Sequence, residues 1–149
     1  MFAGAEDARP RQERGEFFSE GDHLVRIDAV KAAKSRKGDE YVAVEATCLL
    51  SDNAAIRPGA PLSHLYMCRY DSFLGDMKAF AAVGENCDPA EVDEAGLEAI
   101  CGEDNPFQGK ILRVRAKIVK TKKGGDFTIL NWRQPSPEEI AQYSRKPTA

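Results

Sequence analysis

Two segments of this chain carry nearly the same chemistry, K-S-R-K-G-D-E-Y over residues 34–41 and K-T-K-K-G-G-D-F over residues 120–127. In each, cations crowd onto a glycine turn, and an acid followed by an aromatic ring closes it. Such a turn does not break or make bonds. It sets up a local positive field that neutralises a polyanion, and a flat ring beside it offers a stacking surface for a base. Two matched turns far apart in sequence suggest one anionic ligand gripped from two sides, with nucleic acid as first candidate. The expected phosphate contacts are Lys34, Arg36 and Lys37 on the first turn and Lys120, Lys122 and Lys123 on the second. Arg113, Arg115 and Lys117 extend the field along the strand that leads into the second turn. Candidate stacking rings are Tyr41, Tyr66 and Phe127, with His64 and Tyr70 on the same strand face as Tyr66, whereas Trp132 reads as core. Cys68 shares that face too, so the pattern is equally consistent with an inward orientation.

Catalytic and metal chemistry find little support. His23 and His64 are the only histidines and fit no metal-ligand spacing, and there is no nucleophile elbow or phosphate-binding loop. Cys48, Cys68, Cys87 and Cys101 form no C-x-x-C pair, a poor pattern for zinc, and two of them fall in apolar strand patterns where a thiol behaves as a small hydrophobe. Gly124, Gly125 and Asp126 read as hairpin chemistry, in which glycine takes positive φ. The expectation is a binding protein without enzymatic activity, cofactor or metal.

The elements that must position the two turns follow from hydrophobic period. Alternation of Val25, Ile27 and Ala29 predicts a strand over residues 24–33, and Val42, Val44, Ala46, Cys48 and Leu50 a second. A turn-rich stretch with Asn, Pro and Gly leads to a third strand over 62–70. The period then becomes helical through Phe73, Leu74, Met77, Phe80 and Ala81, with Asp71 or Ser72 as N-cap and Gly84 near the end. D-P-A-E-V restarts a helix, with Asp88 as N-cap, Pro89 at the first helical position and Val92, Leu97 and Ile100 as its buried stripe. Leu112, Val114, Ala116 and Ile118 inward, against Arg113, Arg115 and Lys117 outward, define a fourth strand, and residues 126–133 a fifth.

The order is strand, strand, strand, helical insert, strand, strand. It predicts a mainly β domain with a helical insert, an OB-fold built as a five-stranded Greek-key barrel with the helix between strands three and four. In that fold the loops joining strands one and two, and four and five, flank the face that binds oligonucleotides or oligosaccharides, and these are the two basic turns.

At 149 residues and a formal net charge of −3, the chain suits a single domain and is no generic polyanion binder. Distribution matters more than the sum: residues 85–104 hold Glu85, Asp88, Glu91, Asp93, Glu94, Glu98, Glu103 and Asp104 without a single Lys or Arg. Residues 110–133 are strongly basic, so a basic face and an acidic back are expected. Residues 1–15 read as a flexible arm, 16–134 as the OB-fold domain, and 135–149 as a tail in which S-P-E-E-I makes a short helical turn. No segment resembles a signal peptide or approaches the roughly 20 apolar residues of a membrane span, so a cytoplasmic location is expected.

The pattern G-x-x-x-V-x-I-x-x-V-K from Gly21 to Lys31, the turn K-x-x-K-G-D, the insert after the third strand, N-P-F-x-G-K and K-T-K-K-G-G-D-F-T-x-x-N-W together resemble small phage-encoded OB-fold single-stranded-DNA-binding proteins. The resemblance covers residues 17–134. It implies sequence-tolerant binding of single-stranded DNA in phage replication or recombination, in the host cytoplasm, with replication or recombination proteins as partners and a homo-oligomer as one arrangement. A strongly acidic terminal tail, used by many such proteins to recruit partners, is not matched by the stretch holding Arg145 and Lys146. Two other readings stay open. The turns read phosphate and not sugar, which suits an RNA-binding OB module, and a structural or assembly protein would use the small barrel, and the acidic insert, for protein contacts.

Overall fold

The computed structural model describes residues 16–120 and 126–144. Expectations for residues 1–15, Lys122, Lys123, Gly124, Gly125, Arg145 and Lys146 fall outside them.

The chain folds into one sheet with helices packed against it. Strand β1 (Glu16–Phe17) is followed by β2 (Gly21–Lys34), β3 (Glu40–Ser51) and β4 (Pro61–Met67). Helix α1 (Phe73–Glu85), a single 3-10 turn (Pro89–Glu91) and α2 (Glu94–Ile100) come next, then β5 (Ile111–Lys120), β6 (Asp126–Arg133) and α3 (Pro137–Ser144). The strand order across the sheet is β1-β4-β3-β2-β5-β6. The long strands pair antiparallel, and only the two-residue β1 lies parallel, against Leu62 and Ser63.

Strand β2 organises the sheet. It pairs with β3 from His23 to Lys34 but with β5 only from Gly21 to Arg26, and register shifts after Leu24 and Ile27 bend it between the two partnerships. Where β5 leaves, the loop before it takes over: Asn105 Oδ1 accepts from the Val30 amide at 2.7 Å, and Ile27 exchanges backbone bonds with Gly109 and Lys110. The edge of β2 is thereby satisfied where no strand covers it.

The core fills the concave side of this bent sheet. Leu112, Val114 and Ala116 point inward as their alternation predicts, but Ile118 is 38% exposed, because β5 there runs past the end of β2. Helix α1 packs against β4 and β6 through Met77, Phe80 and Ala81. Phe80 sits in an aromatic box of Tyr66, Trp132 and Phe107. Gly84 lies near the helix C-terminus as expected and also serves packing: a Cβ there would lie 2.2 Å from the Phe107 ring. The helix ends on Asn86, whose φ of 57° is the left-handed cap.

The expected second helix is split. Asp88 caps as predicted, accepting from the Ala90 amide, but only a 3-10 turn follows before Asp93 caps α2 by accepting from Gly96. Cys48 is buried in β3, whereas Cys68 falls just past β4 and is exposed, outside the strand predicted to hold it. The segment expected as a tail carries α3, opened by a capping box in which Ser136 Oγ accepts from the Glu139 amide and Glu139 Oε1 from the Ser136 amide. No helix among the described residues is long and apolar enough to cross a membrane.

Candidate functional site

The first basic turn is closed by its own hydrogen bonds. Ser35 closes it by donating to the Asp39 carbonyl at 2.7 Å, and its hydroxyl accepts from the Asp39 amide, while Gly38 takes the positive φ of 91° that the turn requires. Lys34, Arg36 and Lys37 are all exposed on it. No ion pair holds Lys34 or Lys37 among the described residues, although Glu40 lies directly across the hairpin from Lys34. The second turn is defined by its stem, whose last cross-strand pair is Lys120 with Asp126, and Lys120 is exposed.

Along β2 the two turns leave from opposite ends, since β5 runs past Gly21 and the first turn lies beyond Lys34. The bend of the sheet brings their stems back towards each other through three consecutive contacts. Arg69, just past β4, pairs with Asp39 of the first turn at 3.2 Å. Its guanidinium lies 5.2 Å from the ring centre of Tyr70. Tyr70, 41% exposed, meets Phe127 edge-on at 5.6 Å, one residue from where the second turn rejoins β6. Arg69 was not among the sequence-derived candidates. A cation directly before an aromatic residue at the end of a strand was the available signal.

Behind Tyr70 and Phe127 opens a cleft of about 620 Å³ between the facing edges of β4 and β6. His64 to Met67 form one wall, Phe127 to Leu130 the other, and Phe18, Phe73 and Asp76 close it. His64 stacks edge-on against Tyr66 at 4.5 Å, and burial pulls its pKa down to about 4, so at neutral pH it is an uncharged ring.

Tyr66, expected as an exposed stacking ring, is a core residue. It is 6% exposed and its hydroxyl accepts from Trp132 Nε1 at 2.8 Å, the bond that ties β4 to β6 across the cleft. Burial pushes its pKa well above the usual tyrosine range. The strand face shared by His64 and Tyr66 is therefore the inward one. Tyr41 is half-buried and lines a different depression, between the β2–β3 hairpin and the helices, and does not join Phe127.

The strand cations divide. Arg113, expected to extend the field, is withdrawn from it: Nη1 pairs with Asp22 at 2.8 Å and Nε with both Glu139 oxygens at 3.1 Å, with a further contact from Nη2 to Glu139. Arg133 reaches the same Asp22 at 2.8 Å, and Arg115 lies 3.7 Å from it. These bonds hold Glu139 below the usual carboxylate range and raise Arg113 further. Lys117 is exposed, and by alternation it faces outward with Ile129, its cross-strand partner, and with Phe127.

The arrangement gives cations at both ends of a path whose middle is an exposed tyrosine stacked with an arginine, over a cleft walled by aromatic and aliphatic side chains. It can neutralise a phosphate chain and receive flat, uncharged rings. No protein-family model matches the chain, and no curated protein matches it either.

Proposed function

We propose that this chain is a sequence-tolerant, non-enzymatic single-stranded-DNA-binding protein of OB type, acting in phage DNA replication or recombination. The observation that carries the reading is the contact path Asp39–Arg69–Tyr70–Phe127, which links the stems of the two basic turns across the mouth of the cleft. The fold supports it. The spatial order β5-β2-β3-β4, in which a fourth strand returns beside the first, is consistent with a Greek key, and closure into an OB barrel would bring β6 towards the part of β4 that β1 leaves uncovered. Helix α1, between β4 and β5 in sequence, packs beneath those two edges.

In this reading the DNA backbone runs from the first turn over Arg69 towards the second, with Lys117 and Lys120 continuing the field. Bases turn towards Tyr70 and Phe127, whose faces accept any base, so binding is tolerant of sequence. Phosphate neutralisation supplies most of the affinity, which falls steeply with salt.

A gel-shift series with single-stranded DNA, duplex DNA and single-stranded RNA of one sequence tests this. Retardation of the single-stranded DNA at protein concentrations that leave the duplex free is expected. Stronger retardation of RNA replaces DNA with an RNA ligand for the same site. Failure of all three probes rejects nucleic acid and leaves the protein-assembly reading.

A further inference from the structure

A second depression lies on the helical side of the domain, separated from the cleft by Phe73, which borders both. It has a volume of about 590 Å³ and is floored by the end of the β2–β3 hairpin and walled by α1 and α2. Its apolar surface includes Tyr41, Leu97 and Leu74, and Leu74 is 63% exposed on a helix whose other large apolar side chains are buried or half-buried. Three carboxylates rim it: Glu94 and Glu98, one helical turn apart on α2, and Glu40 at the start of β3. Lys34 is the one cation among the lining residues, and the insert that builds the wall holds no Lys or Arg from Glu85 to Asp104.

This groove does not suit nucleic acid, because its rim would repel phosphate. It is also open rather than enclosed, with an apolar side chain standing out of it, as in grooves that take the apolar face of a peptide segment. The geometry points to a docking site for a partner protein's segment that carries apolar side chains flanked by Lys or Arg. The apolar residues would cover Leu74 and Leu97 and the cations would meet Glu40, Glu94 and Glu98. Lys34 lines this groove and is also an expected phosphate contact, so such a partner would meet the nucleic-acid path at the stem of the first basic turn. The inference stands on the groove alone and does not require that the cleft bind DNA.

Binding of fluorescein-labelled amphipathic peptides to the full-length chain, followed by anisotropy, tests it. A Leu/Lys peptide is expected to bind and a Leu/Glu peptide of the same spacing not to. Bound peptide should slow alkylation of Cys68 and Cys101, which line the groove, and leave Cys87, which does not, unaffected. Leu74→Asp, at an exposed position that tolerates a polar side chain, should weaken the Leu/Lys peptide by about tenfold or more. Glu94→Lys with Glu98→Lys should transfer the preference to the Leu/Glu peptide, whereas Glu85→Lys with Glu103→Lys, an equal charge change outside the groove, should have little effect. Equal loss from both charge-changed pairs, or no loss from Leu74→Asp, would reduce the effect to diffuse electrostatics and overturn the proposal. So would two other results. A dimer that Leu74→Asp converts to monomer makes a second copy the occupant, and tenfold tighter peptide binding by an Arg9/Arg11/Arg14→Ser variant makes it the chain's own first residues.

Discussion

The basic turn at residues 34–39 and the arginine cluster on β5 and β6 carry the same sign of charge in opposite surroundings. On the turn, Lys34 and Lys37 stand exposed, Asp39 is engaged by Arg69, and Glu40 lies directly across the hairpin from Lys34. On the strands, Asp22 gathers Arg113, Arg115 and Arg133, and Glu139 clamps Arg113 from α3. A run of cations in sequence therefore says little about a ligand field until the acids that reach it from other elements are known. The turn leaves Lys34 and Lys37 exposed, whereas the cluster's charge holds α3 and the start of β2 to β5.

Stripping the turns of charge should have the largest effect. Replacing Lys34, Arg36, Lys37, Lys120, Lys122 and Lys123 with Ala should lower oligo-dT affinity by roughly 100-fold or more at moderate salt, with the fold retained. Filter binding and thermal melts on the same preparation check both halves.

Acid should attack the cleft wall. His64 is depressed to about 4 in the fold, and an unfolded histidine titrates near 6.5, so between these values the unfolded chain binds more protons. Stability should be level above about pH 6.5, fall by up to about 3 kcal/mol as pH drops towards 4, and level off again for this group. Denaturant melts across that range should show the fall in the parent and a flatter profile in His64→Gln. Glu139 acts lower: its depressed carboxyl keeps the α3 tie until pH falls below the ordinary glutamate range.

Arg113→Gln sharpens the contrast from the other side. Its side chain is 27% exposed and its partners 19% and 21%, between the surface and buried regimes, so a loss of about 2 kcal/mol in stability is expected. DNA affinity should stay unchanged. A loss of binding without a loss of stability would return Arg113 to the ligand field.

The two tyrosines give the smallest effects and separate ring from ring. Tyr70→Ala should cost about 1 to 2 kcal/mol of DNA binding and little stability. Tyr66→Phe should cost about 1 kcal/mol of stability, by stranding Trp132 Nε1, and no binding.

Much of the scaffold was legible in the sequence because it rests on local period and local caps. The alternations in β2, β3 and β5 and the helical spacing of Phe73, Met77 and Phe80 each name their own element, and Asp88 names its cap. The site was legible only in part. Tyr66 and Tyr70 fall on one face of a strand pattern, and alternation cannot say that the strand ends at Met67, leaving one ring in the core and the other at the cleft mouth. Arg113 looks the same as Arg115 and Lys117 in sequence. Its withdrawal depends on Asp22, 91 residues away, and on Glu139, which α3 brings in from a segment read as tail.

The salt dependence of oligo-dT binding by the parent and by two variants, one with Lys34, Arg36 and Lys37 changed to Ala and one with Lys120, Lys122 and Lys123, tests the two-turn grip most directly. If both turns hold one strand, each variant should lose slope in the plot of log affinity against log salt, by about 0.7 for every phosphate contact removed. A variant that keeps the parent's slope and affinity would show that its turn does not touch the strand, and the account of a ligand gripped from two sides would be wrong.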